Sequence, residues 1–178
     1  MNPRLVVSIT AIVLFFSVSA SSQTTTPDAV VRSFYAYSNA RSSTFTRRHI
    51  ELRKKWYTPQ LYRAFLKQLA EDQAYLKTHP TDKPFFGDGL AFRPLDEACY
   101  EAGRSYGRSH RISKTQITNS RAEVEVKFAY PAACKSGGEP IIYKLILRKL
   151  AGKWLIDDWA YDDGHTLVGD MKAHSYDG

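Results

Sequence analysis

The period of the hydrophobic pattern changes halfway along the chain, and this change most limits the fold that the chain can adopt. Within residues 27–77 apolar side chains recur every three or four positions, as in Leu61, Phe65 and Leu69, which is the spacing of a helix with one buried face. Within residues 122–130 they alternate with polar side chains, which is the spacing of a half-buried strand. Helices followed by strands are typical of an α+β domain.

Three helices are predicted in the first half of the chain. Two of them begin with threonine and proline, at Thr26-Pro27 and at Thr58-Pro59. A threonine hydroxyl accepts a hydrogen bond from a free backbone N–H of the first turn, and proline fits the first helical position. The predicted helices cover residues 27–37, 44–56 and 58–77.

Four strands that pair in chain order are predicted in the second half, as an antiparallel sheet. They lie within residues 106–118, 122–130, 141–150 and 153–161. Ala151-Gly152 is expected to form a tight turn between the last two. Residues 80–103 are rich in proline and glycine and are predicted to be a long connection. Its phenylalanines Phe85, Phe86 and Phe92 are expected to pack against the core.

The N-terminus has the three parts of a secretory signal peptide. A positive start with Arg4 is followed by the apolar run Leu5–Val18 and by small residues before a cleavage site after Ala20. The apolar run is shorter than the roughly 20 residues that a membrane span needs. The predicted organisation is a signal peptide over residues 1–20, a flexible leader over 21–25, one domain over 26–164 and a C-terminal tail over 165–178. We therefore expect a periplasmic or secreted protein with no transmembrane segment after cleavage.

Charge and cysteine content agree with export. The formal net charge is +7, and the signal peptide would remove Arg4 alone among the basic residues. The cations are scattered along the chain and form no nucleic-acid-binding motif, so nucleic acid is not an expected partner. The chain has two cysteines, Cys99 and Cys134, and an even pair in an oxidising compartment predicts a disulfide.

Three segments resemble a known family. TPDAVVRSFYAY, YTPQLYRAF and GKWLIDDWAY are similar to the opening helix, the second signature and the closing strand of exported bacterial proteins grouped as domain of unknown function 3828. That family is related to the nuclear-transport-factor-2-like, cystatin-like superfamily, and the resemblance covers about residues 26–164. It implies a cone-like fold, with N-terminal helices packed in the concavity of a bent four-stranded antiparallel sheet. It also implies that a homodimer can form through the open sheet face, and it implies no catalytic residues.

The segment GKWLIDDWAY places two adjacent carboxylates between two tryptophans. Side chains alternate between the faces of a strand, so Asp157 and Asp158 are predicted to point in opposite directions and not to act as an acid–base pair. The same alternation predicts two sets of side chains: Trp154, Ile156, Asp158 and Ala160 on one face, and Leu155, Asp157, Trp159 and Tyr161 on the other.

Asp158 is left with two alternative roles. As a structural residue it would accept hydrogen bonds and hold a strand and a helix in register. As a general base with a raised pKa it would serve a small isomerase or hydrolase, with Tyr35, Tyr37 or Tyr62 supplying a hydroxyl. The residues favour the structural role, because no acid partner is evident. They therefore also favour a protein that is not an enzyme.

A non-enzymatic binding role is the leading hypothesis. Aromatic side chains in a fold of this class can line a pocket for a small molecule, a peptide or an envelope protein, or they can simply fill the core. The face of the sheet is the alternative binding surface. The candidate ligand-binding residues are Phe34, Tyr35, Trp56, Tyr62, Trp154 and Asp158. No metal or cofactor is predicted, because no two of the five histidines lie four residues apart and no phosphate-binding loop is present.

Overall fold

The structure, a computed structural model, describes residues 25–41, 44–87, 92, 99–161, 163–174 and 176. It confirms the α+β fold: helices pack against a four-stranded antiparallel sheet, and a small two-stranded sheet lies beside it. The predicted signal peptide, its cleavage site after Ala20 and residues 21–24 of the predicted leader lie outside the described residues.

Two of the helices begin directly after the predicted capping threonines, Thr26 and Thr58. Helix α1 covers Pro27–Asn39, α2 covers Arg47–Arg53 and continues as a 3-10 turn over Lys54–Trp56, and α3 covers Pro59–Thr78. The hydroxyls of Thr26 and Thr58 accept hydrogen bonds from Ala29 N and Leu61 N, each at 3.2 Å. The second helix is shorter than the predicted 44–56, because Thr46 caps it and its last turn tightens to 3-10 geometry.

The sheet has the predicted chain order. Strands β3 (Ser109–Thr118), β4 (Arg121–Ala129), β5 (Ile141–Leu150) and β6 (Lys153–Ala160) pair with their neighbours in sequence. The β5–β6 connection is the expected tight turn: Ala151 and Gly152 both have positive φ, at 47° and 81°, as a two-residue hairpin turn requires.

One face of this sheet carries the core. Val124, Val126 and Phe128 of β4 are buried there at every second position, as the alternation predicts. Phe34 of α1 and Phe65 of α3 belong to the same buried cluster. Burial of these rings contributes roughly 25 cal/mol per Å² of apolar surface removed from water.

A bulge in β6 makes the predicted division of its faces wrong. The pairing shifts by one residue opposite Asp157, so that Leu147 pairs with Ile156 while Ile146 pairs with Asp158. Beyond the bulge Trp159 therefore returns to the core face. The carboxylate of Asp158 accordingly lies on the face opposite to the core tryptophans.

A further helix and a short hairpin lie mainly in segments for which the sequence predicts no regular structure. Residues Leu167–Ala173, in the predicted tail, form helix α4, and its side chains Leu167, Val168 and Met171 are buried in the core. Within and after the predicted connection, β1 (Cys99–Glu101) and β2 (Arg104–Tyr106) pair as a short hairpin.

The long connection packs against the core as expected. Phe86 and Phe92 are buried, and Phe85 is partly buried beside them. Cys99 forms the predicted disulfide with Cys134, with a Cα–Cα distance of 6.3 Å, which ties the small hairpin to the loop before β5. Among the helices of the described residues, none combines the length and apolarity that a membrane span requires.

Candidate functional site

Two of the predicted ligand-binding residues, Trp56 and Trp154, line a single surface groove. The groove, here called the tryptophan groove, has a volume of about 440 Å³ and lies between α1, the 3-10 turn and the β5–β6 turn. Its lining residues are Thr25, Ala29, Val30, Ser33, Lys55, Trp56, Gly152, Lys153, Trp154 and Leu155.

A long-range backbone contact brings the two tryptophans together. Tyr57 forms a parallel bridge with Ile156, and Thr58 N donates to Ile156 O at 2.8 Å. Because the bridge joins residues that directly follow Trp56 and closely follow Trp154, the two indoles lie at the same edge of the sheet. The bridge also covers part of the free edge of β6.

Hydrogen bonds fix one wall of the groove. Trp56 Nε1 donates to Ser33 Oγ at 2.7 Å, and Ser33 Oγ in turn donates to Val30 O at 2.9 Å. The indole also packs edge-on against Phe34, with ring centroids 5.9 Å apart. The Trp56 ring is therefore held in one orientation by its contacts with α1.

Lysine ammonium groups stand over both indoles. Lys55 Nζ lies 4.2 Å from the ring centroid of Trp56, and Lys149 Nζ lies 5.8 Å from that of Trp154. Lys153 is exposed and also lines the groove, and no acidic side chain is among the lining residues that the structure describes. The groove thus combines apolar lining side chains, including the edges of two largely buried indoles, with positive charge.

The lysines were not among the predicted site residues, although the sequence contains a signal for them. Each tryptophan of the groove directly follows a lysine, as Lys55-Trp56 and Lys153-Trp154, while Trp159 follows an aspartate. A repeated cation–indole pair is a local pattern, but only the fold shows that its two copies meet.

Phe34 and Tyr35, also predicted to bind ligand, are instead fully buried in the core. Tyr35 accepts a hydrogen bond from Trp159 Nε1 at 3.3 Å, and burial raises the pKa of its hydroxyl far above the usual value. Phe34 lies 5.8 Å from the Trp159 ring. These rings occupy the space between α1 and β6, where an enclosed pocket would otherwise lie.

Tyr62 lies on the surface of α3 and is not among the residues of the groove. Its hydroxyl donates to the carboxylate of Glu51, and this hydrogen bond, together with burial, raises the pKa of Tyr62. Lys54 Nζ lies 4.6 Å from the ring centroid. The side chain therefore joins α3 to α2.

Asp158 is bonded to helix α4. Its Oδ1 accepts hydrogen bonds from Trp159 N at 2.8 Å and from Val168 N at 2.9 Å, and Thr166 contributes a side-chain hydrogen bond. Burial raises the pKa of Asp158, while these hydrogen bonds oppose that shift. The arrangement favours the structural role, since the carboxylate satisfies a free N–H group at the start of a helix.

Asp157 is directed to different partners. Its Oδ1 accepts from Thr58 Oγ1 at 2.8 Å and its Oδ2 from Arg148 Nε at 2.6 Å. Because Thr58 caps α3, this buried carboxylate joins the start of that helix to β6. The two aspartates thus hold two different helices and do not form a dyad.

The described residues contain one group with the spacing of a metal site, namely Cys99, Glu101 and Cys134. Both sulfur atoms belong to the disulfide, so neither is a thiolate that a metal ion would bind.

No protein-family model matches the chain, and no curated protein matches it with significant sequence similarity. The resemblance to the domain of unknown function 3828 therefore stays a prediction.

Proposed function

We propose that this protein is exported, loses residues 1–20, and acts in the periplasm or outside the cell as a non-enzymatic binding protein. We further propose that it belongs with the exported proteins of domain of unknown function 3828. The signal-peptide pattern and the disulfide between Cys99 and Cys134 support export. The ligand of the tryptophan groove is a small organic anion with a flat apolar part.

The observation that carries this proposal is the meeting of two indoles and their lysines around one groove. Trp56 and Trp154 are 7 % and 6 % exposed, and they line the groove with the accessible part of each indole, where an aromatic or otherwise planar group would pack. Lys55 and Lys153 are exposed at the groove, where they attract a carboxylate, sulfonate or phosphate group. A volume of about 440 Å³ lies within the range of small-molecule sites.

The rival hypothesis of an isomerase or hydrolase has less support. It requires the carboxylate of Asp158 to face a substrate together with a tyrosine hydroxyl. That carboxylate instead accepts two backbone N–H groups at the junction of β6 and α4. Of the proposed partners, Tyr35 is buried against Trp159 and Tyr62 bonds to Glu51.

A planar anionic probe tests the proposal. Isothermal titration with naphthalene sulfonate measures binding, and a trimethylammonium-substituted naphthalene of similar size serves as the cationic control. Lys153→Glu is expected to weaken sulfonate binding about fivefold or more, because it replaces an attractive charge with a repulsive one. Tight binding of the cationic probe, or equal binding by the Lys153→Glu variant, would contradict the proposed ligand class.

A substitution that fills the groove locates the site. Ala29 is exposed on α1 and lines the groove, so Ala29→Phe places a ring inside it without disturbing the core. Ala36→Phe is the matched control, since Ala36 is exposed on the same helix and is not a lining residue. We expect the first variant to lose sulfonate binding and the second to keep it, with equal thermal stability.

A further inference from the structure

A second groove lies between α3 and α4 and shares no residue with the tryptophan groove. This α3–α4 groove has a volume of about 440 Å³, and most of its surface is apolar. Its lining residues are Gln60, Arg63, Ala64, Lys67, Gln68, Glu71, Val168, Met171 and Lys172. The apolar part comes from Ala64, Val168 and Met171, and the exposed part of the lining is polar or charged.

Gln68, a lining residue of this groove, has a buried hydrogen-bond acceptor without a partner in the part of the chain that the structure describes. Its side chain is 1 % exposed, and its Nε2 donates to Asp72 Oδ1 at 2.8 Å. A carboxylate only accepts, so this bond fixes which end of the amide faces Asp72. Within the described part of the chain, the buried Oε1 has no hydrogen-bond partner. A buried acceptor without a donor is costly, and an N–H or O–H group from a ligand would remove that cost.

The charged side chains around the groove are mostly cations. Lys67 is paired with Glu71 at 2.7 Å. Arg63 and Lys172 line the groove as exposed side chains, and neither forms an ion pair with any residue that the structure describes. The groove is therefore complementary to a ligand that carries negative charge on either side of an apolar group.

We propose that the α3–α4 groove docks an acidic segment of another protein chain. One apolar side chain of that segment packs against Val168 and Met171, its acidic side chains pair with Arg63 and Lys172, and one backbone N–H donates to Gln68 Oε1. The unsatisfied acceptor distinguishes a peptide from a fatty acid, because a carboxylate headgroup on an alkyl chain has no proton to donate at neutral pH.

Selection from a phage-displayed library of random dodecapeptides tests the proposal. The library is selected on the wild-type protein, and each recovered peptide is then measured by fluorescence polarisation on the Arg63→Glu/Lys172→Glu variant. Arg32→Glu/Lys77→Glu is the matched control, because it makes the same change in net charge at exposed positions outside both grooves. We expect a consensus with aspartate or glutamate around an apolar residue, and affinity at least about tenfold lower for the first variant only.

A second measurement tests the role of Gln68. Methylation of one backbone nitrogen of the peptide is expected to lower its affinity about tenfold for the wild type and to have a smaller effect on Gln68→Met. The proposal is overturned if no consensus emerges, if acidic peptides bind both double variants equally, or if methylation at no position matters. It is also overturned if dodecanoate competes as well as the peptides do, which would identify the groove as a site for anionic lipids. Both tests are independent of naphthalene sulfonate binding, so either proposal can fail alone.

Discussion

Replacing Asp158 by alanine separates its structural role from a catalytic one. The carboxylate accepts hydrogen bonds from Trp159 N and Val168 N, and the second of these lies in the first turn of α4. Helix α4 has only the residues Leu167–Ala173, so it depends on packing and on its N-terminal hydrogen bonds and not on intrinsic helix propensity. Asp158→Ala leaves both N–H groups without this acceptor.

The expected loss of stability follows from these two contacts. A hydrogen bond to a charged group contributes about 1.5–3 kcal/mol. The half-buried carboxylate also loses part of its hydration on folding, and this unfavourable contribution is absent from the alanine variant. We therefore expect Asp158→Ala to lower the free energy of unfolding by about 2 kcal/mol. For a domain of this size that corresponds to about 4–8 °C in Tm.

Thermal unfolding followed by circular dichroism measures this difference. Asp158→Asn is the matched control, because its amide oxygen still accepts hydrogen bonds from the backbone, and we expect it to lose about half as much stability. Hydrogen exchange of the Val168 amide should accelerate in the alanine variant. An unchanged Tm for Asp158→Ala would refute the capping role, and a stable variant that had lost a turnover activity would restore the catalytic hypothesis.

Two further predictions concern pH and the disulfide. Burial raises the pKa of Asp158, so its contribution to stability is present below its usual pKa of 3.8 and is lost as pH rises through the folded-state pKa. The stability of the wild type relative to Asp158→Asn should therefore fall as pH rises above 3.8, and a rise in urea titrations would contradict this. Cys99 and Cys134 are 35 residues apart, and reduction of their disulfide should cost about 3–4 kcal/mol in the chain-entropy model. A Cys99→Ser/Cys134→Ser variant should show the same loss without dithiothreitol and no response to it.

Local signals in the sequence predicted the elements that local interactions stabilise. Thr26 and Thr58 cap their helices as predicted. The alternating segment of β4 forms a strand with one buried face. Helix α4 was missed because it is short, contains Gly169 and follows polar residues, so its stability comes from contacts with distant parts of the chain. Propensity and periodicity carry no information on such contacts.

The candidate site was predicted only in part, because it too depends on contacts between residues that are distant in sequence. Trp56 and Trp154 were named for their aromatic character, but their meeting depends on the bridge between Tyr57 and Ile156, which are far apart in sequence. The bulge at Asp157 reverses the faces of the residues that follow it, and strict alternation cannot reveal an inserted residue. Sequence patterns therefore identified the indoles and not the groove that they form.

The indole N–H signals in a proton–nitrogen correlation spectrum test the central claim most directly. The chain has three tryptophans, and all three are largely buried, at 7 % for Trp56, 6 % for Trp154 and 3 % for Trp159. Trp56 and Trp154 line the groove, whereas Trp159 is not a lining residue and its Nε1 is bonded to Tyr35. Titration with naphthalene sulfonate should shift the indole signals of Trp56 and Trp154 with one common Kd and leave the Trp159 signal in place. A shift of the Trp159 signal alone, or of none of the three, would contradict the account.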